Sequence, residues 1–281
     1  MNKLNIGIRA HDIENKDLLD LTKKLAAKDI HAIQFALKKS IKEWPINTES
    51  LNTGLARTVA THCRDHHIDI AVLGCYINMI HPNLVERQDA LDYFKAHIRF
   101  ARDFDCSIVA SETGSVLEEI IYTEANFTEE AFELVVASVQ ELVNEAERFG
   151  VIVGIEGGIN HPIYSPQMMQ RLIERVPSHN LQVIFDPVNY LTLANYEQQT
   201  EVIDEAFELF GDRIVIVHAK DFIVADNQLK VVPVGHGRLD YPHLISKLHP
   251  NKPCLPILLE ETQEPHISAS IDYLKNCLKE N

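Results

Sequence analysis

The sequence predicts a single-domain α/β fold, a (β/α)8 TIM barrel over residues 1–281. Three observations carry this reading. Eight short apolar, β-branched runs recur along the chain, a segment of helical periodicity follows each, and no linker rich in Pro, Gly or Ser divides them. Strands apolar on both faces that alternate with helices form a parallel sheet covered by helices, and eight such units close into a barrel.

The first run covers residues 4–8, with apolar positions near a 3.6-residue period at 17–28 after it. Runs at 32–35 and 68–73 are followed by helical patterns at 52–67 and 84–105. The fourth run, 107–110, leads to a long pattern at 128–149, where Thr128 precedes Glu129 and Glu130 and Gly150 follows Phe149. Acids favour the first turn of a helix and glycine closes the last. The fifth run, 151–155, precedes a helix at 165–176 that opens with Ser165-Pro166, a cap and a proline at the first helical position. Runs at 182–185, 213–217 and 255–259 alternate with helices at 197–209, 242–249 and 265–279, and Gly211-Asp212 ends the first of these before its strand. A doubly wound open sheet would place a glycine-rich turn after the first strand. That turn reads Arg9-Ala10-His11-Asp12.

Composition narrows the function. The chain carries 26 Lys and Arg against 41 Asp and Glu, a net charge of −15. Such a field repels a phosphate backbone and an anionic membrane surface, so the expected partner is a small molecule and not nucleic acid or lipid. The five cysteines, Cys63, Cys75, Cys106, Cys254 and Cys277, are odd in number and form no C-x-x-C, as in a reduced, cytoplasmic protein. The N-terminal residues show no apolar signal core, and no apolar window is long enough to span a bilayer.

In a barrel the chemistry sits where the strands end. The fifth run is followed by Glu156, the sixth by Asp186, the seventh by His218 and the eighth by Glu260, at separations of 30, 32 and 42 residues. Each step is one βα unit, so four neighbouring strands deliver a metal-capable group to one rim. Three carboxylates left alone there would repel one another, and a divalent cation removes that conflict. Mostly oxygen donors with one imidazole suit Mn²⁺, Mg²⁺ or Co²⁺, with Zn²⁺ also compatible. Glu260 is preferred over Glu261 because strand alternation turns the second glutamate away.

The segments Gly154-Ile155-Glu156-Gly157, Ile184-Phe185-Asp186-Pro187-Val188-Asn189, Val217-His218-Ala219-Lys220-Asp221, Val234-Gly235-His236-Gly237-Arg238-Leu239-Asp240-Tyr241 and Leu258-Leu259-Glu260 occur in this order. Together they resemble the sugar phosphate isomerase/epimerase family of xylose isomerase-like TIM barrels, a group that includes ketose 3-epimerases, hydroxypyruvate isomerases and inosose dehydratases. The resemblance implies a divalent metal, with Mn²⁺ expected first, held by Glu156, Asp186, His218 and Glu260. It implies that Glu156 and Glu260 also transfer protons. It implies a sugar or sugar phosphate as substrate, and it is compatible with a homo-oligomer. In this chemistry a hydroxyketone chelates the metal, an enediolate is stabilised, and a carboxylate removes the proton beside the carbonyl.

Further pocket residues are expected in His161, Asn189, Arg238, Glu112 and Lys220, with Tyr76 and Asn78 on earlier loops. Each also has a plain structural reading: helix entry for His161, an Asx turn for Asn189, a surface ion pair for Arg238. Asp221 reads as a partner orienting a ligand or as a turn residue. His62, His66 and His67 read as solvated or packed, and Met168-Met169 as helix core. The competing functions are a dehydratase on a polyol ketone, a nuclease of the abasic-site type, and a sugar-binding barrel without catalysis.

Overall fold

In the computed structural model, which describes residues 4–248 and 252–279, eight parallel strands close a barrel. These are β1 (Asn5–Arg9), β2 (Ala32–Phe35), β3 (Asp69–Gly74), β4 (Ile108–Glu112), β5 (Ile152–Glu156), β6 (Leu181–Phe185), β7 (Ile214–Ala219) and β10 (Pro256–Leu259), and β10 pairs with both β7 and β1. The outer ring comprises α1 (Leu18–Ala27), a single turn α2 (Leu37–Ser40), α3 (Thr53–Asp65), α4 (Leu84–Phe100), α5 (Glu129–Phe149), α6 (Pro166–Arg175), α7 (Gln199–Phe210), α8 (Tyr241–Leu248) and α9 (Ile267–Lys279).

The helix signals act as expected at most ends. Thr128 Oγ1 accepts from Ala131 N–H, Ser165 Oγ accepts from Met168 N–H, and Gly150 takes a left-handed φ of 62°. Gly211 differs. Its φ is −56°, and it opens a 3₁₀ turn instead of closing α7 with a left-handed residue. The pattern at 84–105 also splits, because α4 ends at Phe100 and a 3₁₀ turn continues to Phe104 before left-handed Asp105. Residue 249, the end of the expected helix at 242–249, lies outside the described residues.

Two strands were not anticipated. β8 (Asp221–Ala225) and β9 (Gln228–Val232) form an antiparallel hairpin between β7 and α8, turning at Asp226 and Asn227 with φ of 51° and 57°. Among the described residues no helix is long and apolar enough to cross a membrane.

A small apolar layer fills the barrel's interior: Ala32, Val72, Ala110, Ile184, Ile216 and Leu258. Two strands contribute bare backbone beside it. A Cβ on Gly7 would lie 2.1 Å from the Ala32 carbonyl oxygen, and one on Gly154 would lie 3.1 Å from Ala110 and Ile184. Side chains two apart on a strand share a face. The next positions on that face are therefore Arg9, Gln34, Gly74, Glu112, Glu156, Asp186, His218 and Glu260, one from each strand or its end. The interior packing thus fixes which residues form the functional rim.

One outer-layer residue sets an acid limit on stability. His97 of α4 is 1% exposed, donates Nδ1–H to the Tyr93 carbonyl at 2.9 Å, and has no partner at Nε2. Burial, only partly opposed by that carbonyl, lowers its pKa to about 4. Below its ordinary value of about 6.5 the unfolded chain takes up a proton that the folded chain refuses until about pH 4, so stability falls with pH across that window. Between pH 7 and pH 4, wild type should lose roughly 3 kcal/mol more than His97→Leu in denaturant unfolding, whatever the pH-independent packing cost of the substitution. Equal losses would show that His97 titrates normally in the fold.

Candidate active site

The rim gathers the four expected ligands. One donor atom each from Glu156, Asp186, His218 and Glu260 lies within 4.8 Å of all the others, and all four residues are buried. His218 Nδ1 stands 3.1 Å from Glu156 Oε1 and 3.0 Å from Glu260 Oε2. Asp186 Oδ1 accepts the Val188 N–H at 2.9 Å. Its Oδ2 accepts no hydrogen bond of good geometry, although Lys220 Nζ lies 3.1 Å away as an ion partner. Of the two neighbouring glutamates, Glu260 is the one that lies in this cluster. Glu261 has a left-handed φ of 52°, faces solvent and pairs with Arg9.

Cations balance the acids. Lys220 Nζ reaches Asp186 Oδ2 and, at 3.2 Å, Glu260 Oε1. Arg9 Nη1 lies 3.0 Å from Glu260 Oε1 as an ion partner, while Nη2 donates to Glu261 at 2.9 Å and Nε to Asp12 at 2.9 Å, tying the end of β1 to the end of β10. Burial pushes Asp186 up to about 6 against the opposing pull of Lys220. For Glu260 burial acts upward too, but Lys220, His218 and Arg9 outweigh it and hold the carboxyl well below its usual range. Burial would lower His218, yet Glu156 and Glu260 raise it to about 10. Neither Arg9 nor Gln34 was anticipated as a site residue. The signal for both was strand parity, each lying two residues beyond an interior position.

Four of the five expected substrate contacts line one cavity of about 350 Å³ above the cluster: Glu112, His161, Asn189 and Lys220. Asn189 Nδ2 donates to Glu156 Oε1 at 2.8 Å, so it orients a rim carboxylate as well as lining the cavity. His161 donates Nδ1–H to the Gly114 carbonyl at 2.9 Å, and burial lowers its pKa, leaving a neutral ring with Nε2 as an acceptor. Burial and the nearby Glu260 raise Glu112. The unforeseen hairpin adds Phe222, Leu229 and Val231 to the cavity wall.

Arg238 needs correction. It is exposed, lies 5.2 Å over the Tyr196 ring and is not among the residues lining the cavity. The reason is Asp221, whose carboxylate accepts N–H groups from Phe222, Gly235, Gly237 and Leu239 at 2.8–3.0 Å. A Cβ on Gly237 would lie 2.2 Å from Asp221 Oδ1. The glycines of 235–237 therefore wrap a buried carboxylate and turn Arg238 outward. Asp221 is neither a ligand-orienting group nor a simple turn residue. Asn78 also turns from the cavity, bonding Ser115 N and Leu117 O on the loop after β4, whereas Tyr76 bonds Gln34 at the rim.

The donor set fits a divalent cation. Three carboxylates and one imidazole converge, and a fully buried carboxylate oxygen has a lone pair free of hydrogen bonds. A model of the xylose isomerase-like TIM barrel family matches residues 22–277. The chain belongs to that family. Similar solved structures include a D-tagatose 3-epimerase-like protein, 18% identical with a TM-score of 0.74, covering 98% of this chain and 97% of the other. The probable 3-DHS dehydratase AsbF from Bacillus anthracis is 14% identical with a TM-score of 0.73, covering 98% and 99%. The IOLI protein with a binding zinc atom is 17% identical with a TM-score of 0.70, covering 99% and 97%. At these identities the likeness is one of fold. No curated protein matches the sequence.

Proposed function

We propose that the protein is a divalent-metal-dependent isomerase or epimerase of a small polyhydroxy ketone, working in the reducing cytoplasm that suits a chain whose described cysteines form no disulfide. The observation that carries this reading is the convergence of Glu156 and Glu260, from β5 and β10, on one imidazole nitrogen. Two carboxylates so placed can take a proton from a substrate carbon and return one to it or to its neighbour. Glu260 remains ionised beside Lys220, His218 and Arg9 and is fit to accept the proton. Glu156, oriented by the Asn189 amide, is the second transfer group. A cation held by Glu156, Asp186, His218 and Glu260 would polarise the carbonyl and so acidify the adjacent C–H. His161 and Asn189 orient substrate hydroxyls, and the apolar side chains of the hairpin limit water entry.

The favoured substrate is an uncharged sugar and not a sugar phosphate. Among the described residues lining the cavity the cation is Lys220, and it is already shared by two carboxylates. The similarity to an epimerase-like protein and to a zinc-containing one supports the reading. The test is chelation followed by reloading with Mn²⁺, Mg²⁺, Co²⁺ or Zn²⁺ and incubation with ketoses in D₂O. NMR should show deuterium entering beside the carbonyl only in the reloaded protein, and kcat/KM for neutral ketoses should exceed that for their phosphates at least tenfold, about 1.4 kcal/mol of discrimination. Undiminished turnover in chelated protein would refute metal dependence. A product lighter by one water would instead identify a dehydratase.

A further inference from the structure

One buried polar side chain at the rim has no part in the proposed chemistry. Gln34, next to last in β2, lies two residues beyond interior Ala32 and is 2% exposed. Its carboxamide bridges two groups. Oε1 lies 2.6 Å from His218 Nε2, and Nε2 donates to the Tyr76 hydroxyl oxygen. The other nitrogen of His218, Nδ1, faces Glu156 and Glu260. Tyr76 is held in turn by Lys39 Nζ, 4.2 Å over its ring, and by His11, edge-on at 6.3 Å.

We infer that Gln34 is a positioning residue: it accepts the Nε2–H of His218 and thereby presents Nδ1 as the nitrogen available to a metal. A carboxamide offers N–H groups on one side and an oxygen on the other. With Oε1 toward His218, Nε2 keeps its proton whether or not Nδ1 gives up its own to bind a cation. With the amide reversed, Nε2 would have to be a bare acceptor. A neutral ring would then carry its proton on Nδ1, toward the carboxylates, and could not ligate from there. In this first orientation the Tyr76 oxygen takes the amide N–H. A hydrogen bond to the far nitrogen fixes both the tautomer and the direction of a ligating ring, and losing such a partner commonly costs 10- to 100-fold in metal affinity.

The inference rests on the metal-dependent reading for its affinity arm only, because the orientation of Gln34 can be tested without metal. Calorimetric titration with Zn²⁺ or Mn²⁺ alone should show Gln34→Met binding 10- to 100-fold more weakly than wild type, with Gln34→Glu, which keeps an acceptor, within about threefold. In zinc-loaded wild type, ¹⁵N NMR should place the His218 proton on Nε2. In metal-free protein, the His218 Nε2–H signal should be protected from solvent in wild type and lost or exposed in Gln34→Met. Wild-type affinity in Gln34→Met, equal weakening in Gln34→Glu, a proton on Nδ1 of the zinc form, or an unchanged metal-free signal in Gln34→Met would each overturn the inference. Should wild type bind no divalent ion, the proposed function fails while the metal-free comparison still decides the role of Gln34. If Gln34→Met does not fold, Gln34→Glu and the wild-type spectra carry the decision.

Discussion

Replacing Glu260 by Gln should lower ketose turnover 10²- to 10⁴-fold, the usual worth of a positioned acid–base group, with the fold intact. The carboxyl is surrounded by ion partners: Arg9 and Lys220 at Oε1 and His218 at Oε2. Their combined field keeps it ionised despite burial, so the group is a base before substrate arrives. An amide is near-isosteric and retains an oxygen, but it cannot accept the proton. Glu156→Gln should be impaired to a similar degree, since a transfer that begins at one carboxylate and ends at the other needs both. Solvent isotope exchange separates them. The variant retaining the proton-abstracting group should exchange substrate hydrogen for deuterium without forming product, and the other should do neither. Metal content measured alongside removes the alternative that a lost ligand explains the lost rate. More than a tenth of wild-type turnover in either variant would remove that residue from proton transfer.

The rim explains why this site was legible on one side and not on the other. Glu156, Asp186, His218 and Glu260 each end a clean apolar run with a metal-capable residue, so both position and chemistry could be read. Gln34 lies inside its run, at 32–35, and a neutral amide suggests no ligand. Arg9 looked like the first residue of a turn, although it is the last residue of β1 and faces the acids. What reveals both is the interior layer, and identifying its members requires knowing which positions are small because the barrel closes around them. The hairpin was readable in principle. Asp226-Asn227 separates two runs rich in β-branched residues by two residues, the spacing of a tight hairpin with two left-handed positions. Arg238 was expected in the pocket but faces outward because the residues Gly235-His236-Gly237 before it wrap an anion. Here the anion is internal, the carboxylate of Asp221, and no spacing along the chain reveals that it lies beneath them.

Lys220→Met should destabilise the metal-free protein by about 3–5 kcal/mol, the scale for removing one partner of a buried ion pair. The lysine is buried and makes its two ionic contacts on separate carboxylates, Asp186 and Glu260, from a position two residues beyond His218 and hence on the same face. Methionine fills a similar volume, so the loss is electrostatic and not a cavity effect. Asp186 is already pushed up to about 6 by burial even with the ammonium beside it, and without that charge its ionised form would be costlier still. A divalent cation on the same carboxylates would replace the missing positive charge. The drop in Tm, expected to be roughly 6–15 °C for a chain of this size, should therefore shrink markedly when Mn²⁺ or Zn²⁺ is added and return in full with chelator. An equal drop with and without metal would mean that Lys220 acts through packing, and that the acids around it do not share one centre of charge with the ion.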